Sequence, residues 1–262
     1  MKVADAEKQK YYDDRIHRYE ANIQRLVKHE AAVLEECRLD TESAAVKLFE
    51  LSNEMLNLAS NYLALNGIAR SVLGMRDEES LSEARKSITK SIIYLENVVT
   101  KLVDASFFEY ERKLAELSSV PPERKYYVTK KIGAAIALLK YHYGDNTKWY
   151  WSFVDIEARF TAVAKNLLDL KKAYSNNNPS SEDYEPLLYH LRMVKDLLAY
   201  QANRFHERYS LSSKRPDDLR SAIAFLSALK QILVILNERR EAEEIRKKHD
   251  AWQSAYNAML KR

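Results

Sequence analysis

Tyr12, Ile16, Tyr19, Ile23, Leu26, Val33 and Cys37 follow one another at steps of four and three residues, with Glu30 the one polar interruption. The rhythm returns in Leu48, Leu51, Met55, Leu58, Tyr62 and Leu65, and again from Phe153 through Ile156, Phe160, Val163, Leu167 and Leu170 to Tyr174. Such spacing lines a narrow stripe along an α-helix and cannot line one face of a strand, where side chains alternate. Glycine and proline, which tight turns and phosphate-cradling loops require, number only four and five in 262 positions. The fold class that follows is all-α: an elongated antiparallel bundle of roughly six to eight long helices with coiled-coil-like heptad packing.

Local punctuation places the helices. The first is predicted from Ala4 to about Arg38, and Asp40 and Thr41 offer N-cap chemistry for a second that Gly67 loosens and Gly74 ends. Ser80 and Glu83 have the spacing of a capping box and predict a third helix to about Leu117, with Leu81, Ala84, Ile88, Leu95, Val98 and Leu102 inward. Pro121 and Pro122 suit the first turn of a fourth, which Gly144, Asp145 and Asn146 close after Tyr143. A fifth helix is predicted unbroken through Tyr174, before the Asn-, Pro- and Ser-rich loop 175–181. Pro186 lies early in the sixth helix. Pro216 opens a last one, predicted to run to Arg262 over roughly 45 residues. Its surface turns from broadly apolar to charged after Asn237, where Glu243–Lys247 and Glu244–Lys248 are spaced as i,i+4 pairs.

Setting Leu95, Val98 and Leu102 against Leu191, Val194 and Leu198 reveals shared helical grammar rather than a solenoid period. Residues 1–262 are therefore read as one helical domain, with 175–181 the place where a subdivision could fall.

Charge and chemistry narrow the function classes. A formal charge of +4 is spread over 42 basic and 38 acidic residues that are finely interspersed, the pattern of solvated helix faces. It argues against a nucleic-acid arm or an anionic-lipid surface, which concentrate their cations. The lone Cys37 cannot close an intramolecular disulfide, residues 1–10 are polar and charged, and the apolar runs fall far short of the roughly 20 residues that span a bilayer. A cytoplasmic protein without a transmembrane helix is expected. None of the six histidines follows a glutamate by three residues, Asp14 and His17 being the nearest approach, so no di-metal bundle motif is present. One cysteine cannot complete a structural zinc set, and no Gly-x-Ser-x-Gly elbow occurs. No catalytic residue, cofactor or metal ligand is assigned.

Two features point to a partner. The first is the aromatic stretch from Tyr126 to Phe160, in which Tyr141, Tyr143, Trp149 and Trp151 are interleaved with Lys130, Lys131 and Lys148. It predicts either a groove that stacks rings beneath a basic rim or a bundle end sealed by amphipathic aromatics. The second is the pair of narrow seams at the chain ends, where Tyr12, Tyr19, Trp252 and Tyr256 would anchor pairing within the chain or with a second copy. The expected function is that of a non-catalytic protein-interaction or scaffold protein, with a homodimer through the terminal helices as one form of it. The alternatives are a ligand-binding protein or enzyme with an inter-helix pocket near residues 126–160, or a weak nucleic-acid-binding bundle. A strongly shifted titratable group in an inter-helix pocket would favour the ligand-binding alternative.

Overall fold

The computed structural model describes residues 2–144, 149–176 and 178–260, with side chains from residue 7 onward. Asp145, Asn146, Lys148, Asn177 and Arg262, used above, lie outside the described residues. Among those described there are ten α-helices and no strand: α1 (Lys2–Leu39), α2 (Ala44–Ile68), α3 (Glu78–Val98), α4 (Phe107–Ala115), α5 (Pro122–Tyr143), α6 (Ser152–Leu167), α7 (Leu170–Ser175), α8 (Tyr184–Arg208), α9 (Pro216–Ile235) and α10 (Arg239–Leu260). The fold is an all-α helical bundle, as the spacing predicts. The chain divides into two compact units, Met1–Val98 with Lys130–Trp149, and Val99–Thr129 with Tyr150–Arg262, so that one division passes through α5.

In the first unit the α1 seam lies against α2. Leu26, Leu51, Met55, Leu58 and Tyr94 form a buried cluster, with Ile23, Val33, Leu34, Leu48 and Tyr62 packed around it. Fully burying each Leu or Met side chain contributes about 1.5–3 kcal/mol. Glu30, the polar break in the seam, is only 5% exposed and is met by the Tyr94 hydroxyl and, at 2.8 Å, by the Lys90 ammonium. In the second unit α8 packs on α9, α6 on α8 and α10 on α9. Leu198 and Ala202 of α8 and Ala222, Leu226 and Leu233 of α9 have essentially no exposure.

Both units contain the same local plan. A 25-residue helix (α2, α8) widens into a five-residue π-turn (Ala69–Leu73, Tyr209–Ser213), and one left-handed residue then turns the chain into the next helix (α3, α9). That residue is Gly74 at φ 71° in one unit and Lys214 at φ 51° in the other. Leu51, Leu58 and Leu65 of α2 correspond in position to Leu191, Leu198 and Phe205 of α8, and all six are buried.

Three predicted helices are broken where the apolar rhythm continues. The third ends at Val98 rather than near Leu117, and Leu102 is 52% exposed instead of inward. Here Asn166 of α6 donates to the Thr100 and Leu102 carbonyls at 2.8 and 3.0 Å, and Lys165 donates to the Ala105 carbonyl. Side chains thus satisfy backbone acceptors that a continuing helix would have used. The fifth helix ends at Leu167; Asp169 accepts from the Lys172 amide at 2.9 Å and caps the separate α7, leaving Tyr174 of the supposed seam exposed. The last helix stops at Ile235, and Asn237 at φ 58° turns the chain into α10.

The caps are also reassigned. Asp77, not Ser80, caps α3 by accepting the Ser80 amide at 2.9 Å, and the capping box of the chain is Ser106 with Glu109, opening α4. On α10 the acids pair as Glu243–Arg246 and Arg240–Glu244 rather than with Lys247 and Lys248.

Candidate functional site

The aromatic stretch is divided between the two units. In the first, Tyr143 is buried with its ring edge-on to Trp149 at 6.0 Å, and the Arg85 guanidinium lies 5.1 Å from the Trp149 ring. Tyr143 is therefore closed off within the unit rather than presented to solvent. Tyr141, on the other side of α5, is 73% exposed. Lys130 is exposed, whereas Lys131 donates to Asn53 and Asn57 of α2 at 2.8 and 2.7 Å, and half burial lowers its pKa. In the second unit the Arg204 guanidinium covers Tyr150 at 4.6 Å and Trp151 at 5.5 Å, and it donates to the Tyr150 hydroxyl at 2.7 Å. Trp149 and Trp151 are each half-buried.

The terminal seams are seated on their neighbours. Tyr12 and Tyr19 are half-buried on α1, which packs on α2 and its π-turn. On α10, Trp252 stacks on His206 of α8 at 4.3 Å, nearly parallel at 7°, with the Lys248 ammonium 4.8 Å from its ring. The Tyr209 hydroxyl reaches the Met259 sulfur at 3.0 Å, and Tyr256 is half-buried. Lys195 of α8 holds the start of α10 through Glu238 and, at 3.2 Å, Glu241. Yet no side chain of α10 is fully buried.

A third constellation was not legible in the sequence. In the second unit, Pro122, Lys125, Leu167, Asp169, Lys172, Leu187 and His190 line a small recess where α5, α7 and α8 begin. Lys125 is only 7% exposed, and burial lowers its ammonium pKa to about 8 against the upward pull of Asp169 and Asp183, with Lys172 adding to the lowering. His190 is fully enclosed; burial pushes its pKa down to about 4, so it is neutral near pH 7, and its Nε2 donates to the Ala164 carbonyl at 2.9 Å. The Tyr126 ring lies 6.1 Å from His190 and 6.3 Å from that of Tyr189, at the edge of the predicted aromatic stretch. Nearby, burial also lowers the Lys165 pKa to about 8; its ammonium lies 4.7 Å over the Tyr110 ring. Lys125 and His190 are far apart in sequence, and only packing brings them together.

A family profile matches residues 8–259, from α1 into α10. The chain belongs to the TP0443 family. No curated protein matches the sequence. The family match spans both units, and the family name specifies no reaction or ligand, so the functional reading of this TP0443-family chain rests on its geometry. Among the described residues no three His, Cys, Asp or Glu side chains are grouped so as to hold a metal ion, and no helix is long and apolar enough to cross a membrane.

Proposed function

We propose that this TP0443-family protein is a non-catalytic protein-interaction protein that self-associates by exchanging its C-terminal helix. The observation that carries the reading is the seating of α10: it is joined to α9 through a left-handed Asn237 and lies on α8 and α9 without one fully buried side chain. Straightening that hinge would produce the long continuous helix that the 216–260 pattern favours. The released α10 would then meet the same partners, Lys195, Asn203, His206 and Tyr209, on a second copy. Reciprocal exchange closes a two-fold dimer with contacts already present in one chain. A cytoplasmic location belongs to the same reading, and the single free thiol of Cys37 supports it.

Asn tolerates the left-handed region, whereas alanine pays about 1 kcal/mol there, so Asn237→Ala penalises the closed hinge of each of the two monomers that form an exchanged dimer and should tighten dimerisation about 30-fold. Asn237→Gly should weaken it. Sedimentation velocity across a concentration series reads both. A strict monomer for the wild type and Asn237→Ala at high concentration, or a dimer whose strength neither substitution moves, would overturn the proposal.

A further inference from the structure

The recess at Lys125 is built around a charge that the protein leaves unanswered. Burial and the charges of Asp169, Lys172 and Asp183 act on the Lys125 ammonium, but it has no hydrogen-bond acceptor and no carboxylate in ion-pair contact among the described residues. The small exposed part of the residue opens the ammonium to the recess, where only solvent answers its charge. Asp169, which also lines the recess, accepts the Lys172 amide on Oδ1 as the cap of α7 and makes no ion pair with Lys125. His190 adds no charge, being neutral near pH 7 with its Nε2 proton on Ala164. Lys172, also lining the recess, is exposed and adds a second cation toward solvent.

We infer that this recess binds a small oxyanion, a carboxylate or a phosphate, one oxygen of which enters to accept from Lys125 while the rest meets Lys172 at the mouth. The open interior of about 10 Å³ sets the mode of binding. That is room for roughly one water-sized group, so a single oxygen fits and a whole phosphate does not. Leu167, Leu187 and the ring of Pro122 make the walls apolar, which strengthens the one charge-assisted hydrogen bond the ligand would form. Because the bound anion favours the ammonium form, binding takes up protons at mildly alkaline pH. This inference is independent of helix exchange, since it uses neither α10 nor its hinge.

The test uses the full-length protein and two probes, inorganic phosphate and acetate, each compared with chloride at equal ionic strength. Lysine acetylation by a soluble active ester, read residue by residue by mass spectrometry near pH 8, should slow at Lys125 by at least about fivefold in the anion that binds, with exposed Lys113 unchanged. Phosphate alone, acetate alone or both protecting Lys125 would identify the oxyanion class. Calorimetric affinity should be at least about tenfold weaker at about pH 9.5 than at about pH 7, where Lys125 carries its proton. It should vanish in Lys125→Met, a change that removes a buried charge and so does not threaten folding, and should weaken in Lys172→Gln. Protection by neither anion would leave the recess to a water molecule and overturn the inference, as would Lys125→Met binding as the wild type does.

Discussion

Tyr94 of α3 donates its hydroxyl to the Glu30 carboxylate of α1, and Lys90, one turn away, donates to the other carboxylate oxygen at 2.8 Å. The pair converts the one polar break in an otherwise apolar seam into a cross-link within the first unit. Burial, with the hydrogen bond and charge of Glu30, raises the Tyr94 pKa, so the phenol remains the donor at physiological pH.

Removing the donor alone should therefore be worse than removing both partners. Tyr94→Phe leaves a buried carboxylate short of one bond and should destabilise the protein by about 1–3 kcal/mol. Adding Glu30→Leu replaces the acceptor with an apolar group suited to the seam and should recover most of that loss. Urea denaturation of the two single variants and the double variant checks this; a double variant as unstable as the sum of the singles would contradict it.

His190 predicts an acid limb in the stability profile. Its folded pKa, about 4, lies below the value near 6.5 of an unfolded histidine, so the unfolded chain binds the extra proton. Stability is full above about pH 6.5 and falls as the pH drops toward about 4, by up to roughly 3 kcal/mol from this group. Urea midpoints measured through that window should fall for the wild type and fall less for His190→Gln. Parallel curves for the two proteins would remove His190 as the cause.

Arg208 joins three parts of the second unit: it meets Asp155 at 2.9 Å, the Trp151 carbonyl at 3.3 Å and the buried carboxylate of Asp218 on α9. Arg208→Met takes the ion-pair partner from Asp218, which is 6% exposed and keeps only the Ser213 hydroxyl, and should destabilise by about 3 kcal/mol. The companion change Asp218→Asn should relieve much of that, because an amide costs less to bury than an unpaired carboxylate. Thermal melts of both variants, alone and combined, decide it.

Some features were legible residue by residue. Pro122 and Pro216 begin their helices because their fixed φ and missing N–H suit a first turn, and Leu81, Ala84, Ile88, Leu95 and Val98 are inward as their spacing requires. Other features were not. No proline or glycine marks the ends of α3 and α6, and the apolar rhythm runs through both breaks; what stops the helices is hydrogen bonding from Asn166 and Lys165 and the cap at Asp169. The shared plan of α2–α3 and α8–α9 also escaped the sequence, since the left-handed turn uses Gly74 in one unit and Lys214 in the other. Of the predicted partner residues, Tyr143 is buried and Lys131 is tied to two asparagines, while Tyr141 remains exposed.

The sequence by itself determined the helical class, because a repeat of four and three with so few turn residues permits little else. It also determined which positions of α2, α3 and α6 face inward, a property of local periodicity. Only the tertiary structure decided where the helices stop, which aromatics are buried, and that Lys125 and His190 share one recess. Those outcomes depend on which side chains from distant segments satisfy a given carbonyl or cover a given ring, and such pairings leave no periodic trace along the chain.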